Sequence, residues 1–179
     1  MSKLKELTWE NHQKAERTEH ARKLLKGMTP EEYHRYLYNQ YVQYAALESI
    51  AKTEGVLDGI EGIARAANIL ADMTELEEEH DIQRNVDLLC PTVGNYVAHV
   101  MGLEESDDIL AHLYVRHFGD MYGGQMIRKR NPGSGKMYDF DNVDELKATV
   151  RAKLNDEMAN EANRCFEFAM KLFEELGDE

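Results

Sequence analysis

Apolar residues recur three and four positions apart along most of this 179-residue chain, and alternating Thr/Val/Ile-rich runs do not occur, a pattern that predicts an all-α protein. A first helix is expected over residues 3–25, with Leu4, Leu7, Ala15 and Leu25 on its buried side and Gly27 near its end. Thr29-Pro30-Glu31-Glu32 opens a second helix: Thr29 caps it, Pro30 sits where a missing N–H costs nothing, and Glu32 completes a capping box. Tyr33, Leu37, Tyr44 and Leu47 mark its inner face, and the glycines at 55, 59 and 62 interrupt it. Shorter helices are expected over residues 63–73, 76–89 and 93–101, with Pro91 separating the last two and Gly102 closing the third. Ser106-Asp107-Asp108 starts a helix that continues to Arg130. After the loop Asn131-Pro132-Gly133-Ser134-Gly135, Asn142 with Glu145 three residues on predicts one long helix to about residue 176. Its stripe is Leu146, Val150, Leu154, Met158, Phe166, Ala169 and Phe173.

The length fits a single domain over residues 1–179, large enough to bury about two thirds of its unfolded surface. Cys90 and Cys165 stand far apart in a chain without a secretory-type start, which points to reduced thiols and a cytoplasmic setting. The longest weakly polar stretch, residues 93–103, is shorter than the roughly 18 residues needed to span a bilayer, so a soluble protein without a membrane span is expected. A formal net charge of -13 argues against nucleic acid as a partner. An anionic ligand must then find a local basic patch, and three exist: Lys3 with Lys5; Arg128-Lys129-Arg130; and Lys147 with Arg151 and Lys153.

Lys5, His12 and Glu16, spaced by seven and four residues, share one helix face. Such spacing lets His12 ligate a metal through one ring nitrogen while Glu16 orients the ring through the other. Three glycines inside the helical segment, Gly119, Gly123 and Gly124, cost on the order of 3 kcal/mol relative to alanine. Gly119 and Gly123 share a face, which implies either a closely packed helix or a flat ligand. Asp120 beside that bare backbone favours the ligand, since a carboxylate there holds a water or proton-transfer network. Arg116, four residues earlier, is placed to pair with it. Two E-x-x-H spacings, Glu31 with His34 and Glu77 with His80, are of the kind used by carboxylate-bridged di-iron sites.

The segment 10–16, Glu-Asn-His-Gln-Lys-Ala-Glu, resembles the H-x-x-A-E proximal helix of the heme oxygenases, and residues 114–125 resemble their G-D-x-x-G-G-Q distal helix. Residues 26–27 and 41–48 are similar to the family's second helix and its start, and residues 172–176 to its C-terminal helix. The resemblance implies a helical bundle with heme held between the proximal and distal helices, and oxidative cleavage of that heme to biliverdin, carbon monoxide and ferrous iron. It makes His12 the axial iron ligand and Glu16 its hydrogen-bonding partner. Gly119 and Gly123 would let the distal backbone lie over the porphyrin, with Asp120 organising water for oxygen activation. Tyr44, Tyr114 and Arg116 match positions in or near that network; Lys5, Lys147 and Arg151 match positions that hold or steer the propionates; Phe166 and Phe173 match aromatic positions that wall the pocket. O2 and an external electron donor, ferredoxin or a reductase, are implied, with a downstream bilin reductase as a further partner. A monomer is expected. Trp9 and Tyr122 depart from the family pattern, and the region between the second and distal helices is reduced. The readings that compete with this one are a heme carrier or sensor that uses His12 without turnover, and a di-iron oxidase on the same fold.

Overall fold

In the computed structural model, which describes residues 2–177, threonine side chains fix where two of the helices begin. Thr29 accepts from the Glu32 N–H and Glu32 accepts from the Thr29 N–H, the expected capping box. The helix it opens, α4 (Pro30–Thr53), runs unbroken to the predicted glycine stretch. It is preceded by α1 (Leu4–Leu7), α2 (Trp9–Glu16) and α3 (Glu19–Lys26), so the single first helix expected from periodicity is three short ones. Two threonines divide it. The buried Thr8 returns its hydroxyl to the Leu4 carbonyl, and Thr18, in extended backbone, caps α3 by accepting from the Ala21 N–H. Gly27 ends α3 at φ +112°, and a side chain there would collide with the Arg130 carbonyl.

The two helices expected over residues 63–73 and 76–89 are instead one, α5 (Ala66–His80), followed by a 3-10 turn at Val86–Leu88. Ile69, Met73 and Leu76 continue one stripe through the expected break and bury it against α4. Then come α6 (Pro91–Met101) and α7 (Ser106–Arg130), both as expected, although Ser106 lies inside α7 and Glu105 precedes it without a side-chain cap. The last long helix is broken into α8 (Val143–Arg151) and α9 (Ala159–Gly177), with a 3-10 turn at Asp156–Met158 between them. Asn142 sits in the left-handed region at φ 53° and makes no cap bond, whereas Asn155 accepts from the Glu157 N–H and redirects the chain. The stripe reads as continuous because Leu146, Val150, Met158 and Ala162 enter the same core from both sides of the break.

No strand occurs among the described residues, and α4 packs against α5, α6 and α7 while α9 packs against α2, α3, α6 and α7. One core surrounds Leu47, Tyr96, Leu110 and Met158; a second surrounds Tyr33, Leu37, Met73 and Tyr138. Cys90 and Cys165 are buried free thiols. Among the described residues no helix is long and apolar enough to cross a membrane.

Candidate functional site

The three glycines of α7 have two different reasons to be glycine. A Cβ at Gly124 would overlap the Tyr138 ring, 2.9 Å from its Cγ, so this residue permits close packing. Gly119 and Gly123 meet no atom within 4 Å of a built Cβ and lie exposed on one face, next to the exposed Tyr122 and Met126. Close helix packing therefore does not explain them, and a bare backbone faces open space.

Behind that face, Asp120 is buried and its Oδ2 accepts the Tyr44 hydroxyl proton at 2.6 Å. Burial pushes its carboxyl up to about 6, against the opposing pull of His117, Tyr44, Arg116 and Arg65. Arg116, equally buried, does not spend its donors on Asp120 as the spacing implied. Its Nε donates to the Tyr96 hydroxyl at 2.9 Å and an Nη donates to Gln43 Oε1 at 2.7 Å, with the guanidinium 5.6 Å from the Tyr44 ring centre. A fixed cation with such neutral partners biases the local potential without neutralising the acid. Tyr114 is not brought into this network: it lies half-buried against Phe118, its ring centre 5.0 Å away. Tyr96 of α6 holds the place beside Arg116, and no spacing signal marked either Tyr96 in its short apolar helix or Gln43 in α4.

On α2, His12 is half-exposed and its Nε2 lies 2.7 Å from Glu16 Oε1, so the predicted pairing across one helical turn is present. Trp9 stacks on the imidazole at 5.2 Å and Phe166 of α9 meets it edge-on at 5.8 Å. Trp9 thus lies flat against the candidate ligand His12. Lys5 Nζ lies 6.0 Å from the same indole. Phe173 sits two turns further along α9, its ring tilted against His20 at 4.8 Å rather than meeting His12. From α8, Lys147 Nζ lies 3.6 Å over the Tyr122 ring, and Arg151 donates to the Tyr122 hydroxyl. These two cations therefore collect at the rim of the glycine face, with Tyr122 as their platform.

His117, adjoining the motif, is wholly buried and ties Glu48 of α4 to the Leu113 carbonyl through its two nitrogens. Burial works against charge on Glu48, yet His117 and the N–H groups of Arg65 and Ala66 hold its carboxyl below the usual range. The two E-x-x-H pairs do not assemble: Glu31 and His80 are exposed, while His34 meets Glu77 at 2.8 Å and Arg84 occupies both Glu77 oxygens. A carboxylate-bridged di-iron centre has no ligand cage there.

Residues 1–175 match the sequence model of the heme oxygenase family. The chain is 30% identical to heme oxygenase 2 of Macaca fascicularis over 97% of its own length, and spans 64% of that protein. It is similar to the heme oxygenase of Leptospira interrogans, with a TM-score of 0.81 at 23% identity over 95% of this chain and 96% of that one. Heme oxygenase-2 from Synechocystis sp. PCC 6803, solved in complex with heme and NO, aligns over 98% of this chain and 84% of that one at 26% identity, with a TM-score of 0.75.

Proposed function

The chain belongs to the heme oxygenase family, and from that premise we propose that it binds heme and opens the porphyrin oxidatively to biliverdin, carbon monoxide and ferrous iron, using O2 and electrons from an external donor. The observation that carries this reading is the pair of glycines, Gly119 and Gly123, facing open space on the same helix that carries the buried Asp120. Helix propensity opposes glycine at both positions, and no protein atom uses the room they leave.

Heme, when bound, supplies both the redox-active iron and the ring that is oxidised. His12 is the residue to hold the iron: it is the half-exposed imidazole of α2, supported by Trp9 and Phe166 and hydrogen-bonded to Glu16. Contact with Glu16 keeps the imidazole oriented. The bare backbone of α7 admits a flat ring where any Cβ would project into it. Asp120, with a carboxyl pushed up to about 6, both releases and retakes a proton near neutral pH, and Tyr44 fixes the carboxyl through Oδ2. The buried Arg116 favours the charged form of Asp120, and Tyr96 and Gln43 lock the orientation of its guanidinium. Lys147 and Arg151, gathered at Tyr122, and Lys5 on α1 would hold the acid groups of the ligand. Phe166 walls the His12 side. Exposed Lys129 and Arg130 offer a docking patch to an acidic donor such as ferredoxin or a reductase.

Hemin titrated into the protein should give a one-to-one complex whose absorption changes sharply in His12→Ala. With reductant and O2, that absorption should give way to a bilin band with released iron. Heme that only cycles between redox states would instead identify a carrier, and an unchanged spectrum in His12→Ala would remove the ligand assignment.

A further inference from the structure

Away from the glycine face, three helices converge on a set of donors that the reaction above does not use. His99 of α6, His112 of α7 and Glu161 of α9 place their ligand atoms within 4.8 Å of one another. The two imidazoles approach one carboxylate oxygen: His112 Nε2 lies 2.7 Å from Glu161 Oε1, and His99 Nε2 is hydrogen-bonded to the same atom. We propose that His99, His112 and Glu161 form a binding site for one divalent transition-metal ion, held through both Nε2 atoms and the carboxylate with positions left open for water.

The donor chemistry selects the class of ion. Two imidazoles and one carboxylate suit Zn²⁺, Fe²⁺ or Co²⁺, whereas Mg²⁺ and Ca²⁺ favour oxygen cages and Cu⁺ favours sulfur. An ion at the usual distance of roughly 2.0–2.2 Å from each ligand needs donors about 3–4 Å apart, which the cluster reaches with small side-chain adjustments. The surroundings hold one ligand firmly. His112 is wholly buried, and its Nδ1 faces the Tyr96 hydroxyl at 2.8 Å, which in turn accepts from Arg116 Nε. That arrangement, an outer partner on the second ring nitrogen, directs Nε2 to the ion. The opposite side is open, because the side chains of His99 and Glu161 stay 24% and 18% exposed. One carboxylate outside the ligand set lies near Glu161. Asp108 lies one turn before His112 and feels Glu161, Glu105 and Asp107 as repelling neighbours, so the local field draws in a cation. Three helices distant in sequence would then be joined by one ion.

This site is independent of the heme reading, and its test separates the two. The full chain, stripped with chelator and dialysed, is titrated with Co²⁺ as a spectroscopic probe and with Zn²⁺ by equilibrium dialysis. One ion per chain is expected, with a Co²⁺ d–d band in the wild type and in His12→Ala. His99→Asn and Glu161→Gln should each lower affinity by at least tenfold while leaving the hemin spectrum unchanged, which also verifies that both variants fold. Absence of a stoichiometric ion, or affinity equal to wild type in both variants, would overturn the site and leave a hydrogen-bonded ion-pair cluster only.

Discussion

Asp120 carries an energetic cost at the position where the proposed chemistry would use a proton donor. Its folded carboxyl, pushed up to about 6 from an ordinary 3.8, keeps a proton that the unfolded chain releases between those values. Its contribution to stability therefore falls as pH rises through that window, and at neutral pH the buried carboxylate is a cost on the order of 3 kcal/mol, at about 1.4 kcal/mol per pKa unit. Asp120→Asn should accordingly gain stability over wild type at pH 7 and lose that advantage by pH 4, read from urea unfolding of the heme-free protein. A difference that does not change with pH would show that the acid is not perturbed in this way. Asp120→Ala should still bind hemin but lose ring opening; full biliverdin yield from that variant would remove the proton-handling role.

Within α7, neighbouring glycines should respond in opposite directions to the same added methyl group. Gly119→Ala meets only open space, so the helix should gain up to about 1 kcal/mol in stability, while hemin affinity or turnover falls. Gly124→Ala drives a methyl into the Tyr138 ring and should cost about 1–3 kcal/mol. Thermal melts and hemin titrations of the two variants check this directly, and equal destabilisation by both would mean that the face around Gly119 is not open. The break between α8 and α9 matters for the same region. Only as a separate helix does α8 lie on α7 and bring Lys147 and Arg151 to Tyr122. Neither glycine nor proline occurs over residues 143–176 to mark that break, so the periodic stripe concealed it.

Across the whole molecule, a net charge of -13 disfavours approach by an acidic electron donor, which leaves local patches to do the steering. Lys129→Glu should slow donor-supported turnover by roughly tenfold at low ionic strength, with the difference shrinking as salt shortens the Debye length below about 10 Å. Turnover driven by a small-molecule reductant should be unaffected. Stopped-flow measurements across a salt series distinguish this from general damage to the site, which would slow both reactions equally.

Some signals that depend only on neighbours in the chain were legible without a structure, although the cap at Thr18 and the turn at Asn155 were hidden by continuous apolar stripes. The capping box at Thr29, the unbroken span of α7, and the His12–Glu16 pair one turn apart are all short-range consequences of residue type and helical period. Which partners meet across helices is a different matter, because it depends on how separate elements pack. Packing decided that Arg116 turns to Tyr96 and Gln43, that Tyr114 stays outside the network, and that Gly124 serves Tyr138 while Gly119 and Gly123 face open space. It also brought His99, His112 and Glu161 together from three helices that no sequence spacing connects. A hydrophobic stripe specifies that a helix is buried on one face, but burial is non-directional, and only the folded arrangement determines which donor meets which acceptor.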